Sequence, residues 1–262
     1  MLNSPCYYGI KGPRSVYRMS ILVLSDVHAN LEALEAVLAH AAGFERVWFL
    51  GDAVGYGPDP NACVERLREL EPEYWLAGNH DWAALGKLDL DDFNDNARVA
   101  ARWTSSQLTP DVRAFLDTLE PRIDLPGLGV TLVHGSPRHP TWEYILDTQL
   151  AYANFAEFDT PLCLFGHTHV PAIFVEHVDG ASRRLWPEGV GVGQLDGDRW
   201  LVNPGSVGQP RDTDPRASYM LIEPETGKVT LHRVPYDVTA VQAKIRQAGL
   251  PERLAARLSY GW

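Results

Sequence analysis

Five short apolar runs in this chain each end on polar side chains that a packed core has no use for. Ile21 to Ser25 runs into Asp26-Val27-His28, Val47 to Leu50 into Gly51-Asp52, and Tyr74 to Ala77 into Gly78-Asn79-His80-Asp81. Val130 to Val133 runs into His134-Gly135, and Leu162 to Phe165 into Gly166-His167-Thr168-His169. Runs of four or five such residues bounded by turn formers read as buried strands. Helical patterns separate them. Leu31, Leu34, Leu38 and Ala41 recur behind Asn30 as cap, and Val64, Leu67 and Leu70 form one stripe within Pro60 to Leu70. Strand, helix, strand, helix, strand implies parallel strands with right-handed crossovers.

Helices are then expected from about Asn96 to Glu120, with Thr109 as a cap before Pro110, and again around Thr148 to Phe158. Beyond residue 170 the texture changes. Ala172–Glu176, Trp200–Val202, Ser218–Ile222 and Lys228–Val234 are separated by Gly, Pro and Asp, the pattern of an antiparallel meander. A helical segment from Thr239 to Leu258, broken at Gly249-Leu250-Pro251, follows. Residues 1–18 are polar and aperiodic and read as a tail; Met19 is the expected natural start, and residues 19–262 the expected single domain. At 262 residues the chain buries a sizeable core without disulfides.

Composition narrows the function. With 23 basic against 34 acidic residues, the net charge of −11 argues against polymeric nucleic acid and anionic membranes, which demand a basic face. No apolar run approaches a membrane span. Cys6, Cys63 and Cys163 suggest no disulfide framework, so a reducing, cytoplasmic location is expected. A small phosphorylated substrate stays compatible with the acidic balance if cations set the local field. The oligomeric state is not legible.

In a mainly parallel sheet the carboxyl ends of neighbouring strands face one crevice. Two Asp, one Asn and five His therefore gather at one edge, all oxygen or nitrogen donors. Such a set suits a pair of divalent first-row metals better than calcium or a thiolate zinc site. Taken singly, Asp26, Asp52 and Asn79 are turn residues and His134 a hydrogen-bonded core histidine; the company of five motifs in order favours ligation.

In those five segments the chain resembles the calcineurin-like metallophosphoesterases, and in Gly51 to Pro58 and Asn203-Pro204-Gly205-Ser206 it is similar to their small prokaryotic phosphodiesterase branch. The resemblance implies a four-layer α/β/β/α sandwich of two mixed sheets flanked by helices. It implies that Asp26, His28 and His169 hold one metal and Asn79, His134 and His167 the second, with Asp52 bridging. It implies hydrolysis of phosphate esters by attack of a metal-bridging hydroxide, with His80 as the acid that protonates the leaving group or orients the phosphate. Two divalent ions from Mn, Fe, Zn, Ni and Co are the expected cofactors, with manganese expected for activity.

Where protein phosphatases carry an Asp and an Arg after Gly-Asp, this chain has Gly55 and Tyr56. A diester, one charge poorer than a dianionic monoester, depends less on that arginine. Phosphodiesters, cyclic nucleotides among them, are therefore the expected substrates, ahead of a broad phosphomonoesterase or nucleotidase. The complete ligand set argues against a non-catalytic scaffold on the same fold. Arg211 and Tyr56 are candidate substrate contacts, and Arg138 a further candidate arginine. Trp142 and Tyr144 are expected to pack the following helix. Gly205 and Gly208 around Ser206 are expected to shape a tight turn. His40, His139, His177 and His232 lie outside every motif.

Overall fold

The computed structural model describes residues 20–192 and 199–262; the tail 1–18, Met19 and Cys6 lie outside the described residues. The first sheet contains β1 (Ile21–Leu24), β2 (Arg46–Phe49) and β3 (Tyr74–Trp75), mutually parallel as expected. Helix α1 (Leu31–His40) and helix α2 (Pro60–Arg68) make the crossovers. Asn30 caps α1 by accepting from the Ala33 amide. A seven-residue helix α3 (Asn79–Leu85) starts on the third motif itself, where the sequence reading had only a strand end. Helices α4 (Asp95–Gln107) and α5 (Pro110–Asp117) follow, the latter capped by Thr109.

The second sheet is built from β4 (Arg122–Leu125), β5 (Val130–Val133), β6 (Leu162–Phe165), β7 (Ala172–His177), β8 (Gly180–Arg184) and β10 (Trp200–Asn203). Helix α6 (Thr148–Phe155) connects β5 to β6. The short β9 (Gly191–Val192), β11 (Ala217–Glu223) and β12 (Lys228–Val234) return to the first sheet. Helices α7 (Val238–Gln247) and α8 (Glu252–Ala256) are broken where Gly249 adopts φ +70°.

The strand orders are β3-β2-β1-β11-β12-β9 and β4-β5-β6-β10-β7-β8. The meander expectation needs correction at Trp200–Val202. This strand pairs parallel to β6 and antiparallel to β7, inserting into the second sheet between them. Its four residues are all buried, as a central strand requires. The edge strands β4 and β8 escaped the sequence reading because half-exposed polar residues such as Asp124 and Arg184 leave no apolar run.

Alternation along each strand divides the core into layers. Ile21 and Val23 of β1 join Leu132, Leu164, Val175 and Val202 between the two sheets. Leu22 and Leu24 face the other way, against Leu34, Val37, Val64 and Leu67 of the α1–α2 layer. On the far side Cys163, Phe165 and Leu201 pack against Ala151 and Phe155 of α6. Helix, sheet, sheet, helix is thus the four-layer order. A separate cluster joins Ala97, Ala100 and Ala101 of α4 to Val241, Ile245 and Leu254 of α7 and α8, with Tyr56 and Phe93 at its edge. Cys63 and Cys163 are free and buried. No helix among the described residues is long and apolar enough to cross a membrane.

Candidate metal centre

Register brings the motifs together. Leu24 pairs with Phe49 across β1 and β2, and Val133 with Phe165 across β5 and β6, so both sheets end level. The loop 203–208 ties the two edges. Ser206 Oγ donates to the Asp26 carbonyl at 2.8 Å, and Asn203 Nδ2 to the Gly166 carbonyl at 2.6 Å. Gly205 has φ +77°, the expected turn; Gly208 is needed instead for close approach, since a Cβ there would meet the Val27 carbonyl oxygen at 1.8 Å.

The backbone turns sharply where the side chains must converge. Nine non-glycine residues among those described have left-handed φ, and five of them are Asp26, His28, Asp52, His167 and His169. L-residues adopt this region at a cost, and such outliers concentrate at functional sites.

All seven expected ligands are buried, and they gather into two overlapping groups. Asp26, His28, Asp52 and His169 offer donor atoms within 4.8 Å of one another, as do Asp52, His134 and His167. Asp52 belongs to both groups. Asn79 joins the second, its Oδ1 3.2 Å from His134 Nε2.

Hydrogen bonds settle which ring nitrogens face inward. His28 Nδ1 meets the Val54 carbonyl at 3.1 Å, His169 Nδ1 the Gln209 carbonyl at 2.6 Å, and His134 Nδ1 the Leu50 carbonyl at 2.8 Å. His167 uses Nε2 instead, 3.3 Å from the Trp142 carbonyl. A carbonyl only accepts, so each of these nitrogens carries a proton, which leaves the other as a lone pair whenever the ring is neutral. The carboxylates are held by one oxygen each. Asp26 Oδ2 accepts from Ser25 Oγ at 2.6 Å and the His167 amide at 3.1 Å, while Asp52 Oδ1 accepts from the His80 amide at 2.8 Å. Asp26 Oδ1 and Asp52 Oδ2 are buried without a hydrogen-bond partner.

Lone pairs and bare carboxylate oxygens aimed at one another in a dry site are a costly arrangement unless a cation lies between them. The donor set therefore fits divalent metal ions. Burial and the neighbouring His169 hold His28 well below the usual histidine range, and burial does the same to His167 and His169. Neutral imidazole is the ligating form. His134 differs: burial opposes its charge, but Asp52 beside it pushes it up to about 9. In the metal-free protein a proton there offsets the carboxylates.

His80 lies at the rim of the cluster, its ring centroid 5.0 Å from that of His28 and 4.2 Å from that of Tyr56. Burial pushes it down to about 4, and its Nδ1 has no partner. Among the described residues no carboxylate accepts from this nitrogen. Asp81, left unplaced by the sequence, accepts from the amides of Asp52, Val54 and Gly78 at 2.9–3.0 Å. It pins the Asp52 loop to the start of α3.

A cavity of about 650 Å³ opens beside the cluster, lined in part by Tyr56, Tyr144 and Arg211. Arg211 donates to Gln209 Oε1 at 2.9 Å and Tyr56 Oη at 3.4 Å, and its buried Nε has no partner. Arg138 is instead ion-paired with Glu143 and is not among the cavity-lining residues. The expected packing on the following helix needs correction for both aromatics: Trp142 instead meets Phe93 edge-on at 4.8 Å, against the cluster of α4, α7 and α8, and Tyr144 turns to the cavity. That ring is exposed in the cavity and stacks on His167 at 4.1 Å. A short polar loop gives no apolar period from which to foresee this. No motif in the sequence marks Arg253, Arg257, Tyr260 and Trp262, which also line the cavity.

A family profile describing the calcineurin-like phosphoesterase superfamily domain matches residues 19–227. The chain belongs to that superfamily. It is a metal-dependent phosphoesterase. The crystal structure of a metallophosphoesterase from Sphaerobacter thermophilus is 49% identical, with a TM-score of 0.84, covering 93% of this chain and 99% of that one. An uncharacterized protein of Methanocaldococcus jannaschii is 40% identical over 248 residues, 92% of this chain and 98% of its own length. A hypothetical protein from Pyrococcus horikoshii shares the fold at 22% identity and a TM-score of 0.75, covering 93% and 99% of the two chains.

Proposed function

We propose that this phosphoesterase works with two divalent transition-metal ions, manganese serving for activity, and prefers phosphodiesters, cyclic nucleotides among them. Asp26, His28 and His169 hold one ion, Asn79, His134 and His167 the other, and Asp52 spans both. The observation that carries this reading is the sharing of Asp52 between two donor groups, with its Oδ2 unbonded and 3.5 Å from His28 Nε2 and 3.3 Å from His134 Nε2. When bound, such a pair supplies Lewis acidity toward phosphoryl oxygens and a water ionised near neutral pH.

The chain's own residues do the rest. Backbone carbonyls of Val54, Leu50, Gln209 and Trp142 fix the four histidine rings, so the ligand lone pairs need no reorganisation. His80, neutral in the empty site, donates a hydrogen bond to the phosphoryl group. The charge of a bound phosphate raises its proton affinity, so the ring takes up a second proton from solvent and passes it to the leaving oxygen, returning to the neutral form. Arg211 and Tyr56 line the approach and contact the substrate. Residues 19–262 act as one domain behind a tail of residues 1–18, in the cytoplasm, where the free Cys63 and Cys163 stay reduced.

A monoesterase is the second reading, favoured by the unpartnered Nε of Arg211. A panel on manganese-reconstituted protein separates the two: an aryl phosphodiester, the matching aryl monoester, and 2′,3′-cyclic nucleotides. Faster turnover of the diesters is the expected result; a higher kcat/KM on the monoester transfers the assignment to the second reading.

A further inference from the structure

Arg253, Arg257, Tyr260 and Trp262 line the cavity from beyond the segment matched by the superfamily profile. Arg253 and Arg257, four apart across α8 and the turn after it, line the cavity together with Arg211. Arg257 Nε donates to the Trp262 carbonyl, and the Thr213 amide donates to the Gly261 carbonyl at 2.9 Å. Gly261, at φ +65°, packs so closely on Asp214 that a Cβ would meet its backbone at 2.7 Å. This docking stacks Tyr260 on Trp262 at 4.8 Å while leaving both rings exposed at the cavity.

Three arginines, Arg211, Arg253 and Arg257, share the lining of this one cavity. At a net −11, nine of the described arginines form ion pairs with Asp or Glu, while Arg68, Arg102, Arg113, Arg183 and Arg184, none of them on the cavity, do not. Arg211, Arg253 and Arg257 form none among the described residues. Asp95, also on the lining, is engaged by Arg98 at 3.5 Å. Burial, and then the proximity of Arg211, push Arg257 down to about 10. Three cations on one cavity lining, none ion-paired with a carboxylate among the described residues, favour an anionic ligand.

We propose that Arg253 and Arg257, with Arg211, form a second anion subsite beside the metal centre, and that Tyr260 and Trp262 offer a stacking surface for an aromatic ring. The substrate class is then a phosphate ester whose retained part carries both an aromatic ring and a further phosphate, the chemistry of a nucleotide bearing more than one phosphoryl group. This rests on the phosphoesterase centre proposed above; the subsite deepens it by stating what else the substrate must carry.

The test uses matched pairs that differ only in the second phosphate: a 5′-phosphorylated adenine dinucleotide against the unphosphorylated dinucleotide, and adenosine 3′,5′-bisphosphate against 3′-AMP. Each is measured by turnover on metal-loaded protein and by calorimetric binding to metal-free protein. The expected result is at least a tenfold preference for the extra phosphate in kcat/KM and Kd. Arg257→Gln and Arg253→Gln should each collapse that ratio severalfold, Arg257→Lys less so. An aryl phosphodiester, which lacks the second charge, should lose less in each variant than the phosphorylated dinucleotide and so reports intact folding. Ratios near one in the wild-type protein, in turnover or in binding, overturn the subsite. Loss of aryl diester turnover in the wild-type protein, with the binding preference intact, counts instead against the metal-centre reading.

Discussion

His28 and His169 face each other Nε2 to Nε2 at 3.0 Å, with the Nδ1 of each committed to a backbone carbonyl. Neither inward nitrogen has a proton to offer the other. Two nitrogen ligands on adjacent corners of one ion's shell stand about 3 Å apart when each bond is about 2.1 Å. The pair is thus preorganised for a cation.

Asp52 joins both donor groups, so its loss should cost more than that of any outer ligand. Asp52→Asn is expected to lower kcat by about 10²–10³-fold or more, on the scale of losing one preorganised charge-stabilising group. Metal content should fall with it, and His134→Ala should behave alike. Full activity with full metal content in either variant contradicts the ligand assignment.

His80 is outside both ligand groups. His80→Ala should therefore keep both metals while kcat falls by about 10²–10⁴-fold, the usual contribution of a positioned acid. The loss should be steepest for alkyl leaving groups and mildest for nitrophenolate. An equal loss across leaving groups would count against proton transfer by this residue.

Metal uptake should depend on pH through His134. Its proton affinity in the metal-free protein is raised to about 9 by Asp52, so below that pH a proton must leave before the ring can ligate. Affinity is expected to rise with pH through the neutral range and to level off above about 9, with proton release visible as a buffer-dependent binding enthalpy. His134→Gln should flatten that dependence.

Asp81 holds three amides with its two carboxylate oxygens, Oδ2 taking those of Asp52 and Gly78 and Oδ1 that of Val54. Asp81→Asn turns one acceptor into a donor facing an N–H group. A buried mismatch of this kind costs about 1–3 kcal/mol. Thermal unfolding should show the loss in the metal-free protein, and metal content should drop because the Asp52 loop is no longer pinned.

Much of this was legible in the sequence because the ligands sit where apolar runs stop. β1 and β6 are uninterrupted apolar stretches, and β2 and β5 carry a single polar residue each (Arg46, Thr131), with the polar switch at the sheet edge, so the strand ends and the ligand positions are the same signal. The caps Asn30 and Thr109 were equally visible. Trp200–Val202 was read as a strand but misassigned in pairing, since an all-apolar run does not say whether its neighbour is parallel. Edge strands such as β4 carry no period. Arg257, Tyr144 and Asp81 were hidden for another reason. A residue acting at a site assembled from distant segments leaves no local pattern, although the four-residue spacing of Arg253 and Arg257 was a faint one.

The most direct test is anomalous diffraction from crystals of manganese-reconstituted protein. Two peaks per chain about 3.5–4 Å apart are expected, one among Asp26, His28, Asp52 and His169, the other among Asp52, Asn79, His134 and His167. A single peak, or none at saturating manganese, would contradict the two-ion centre.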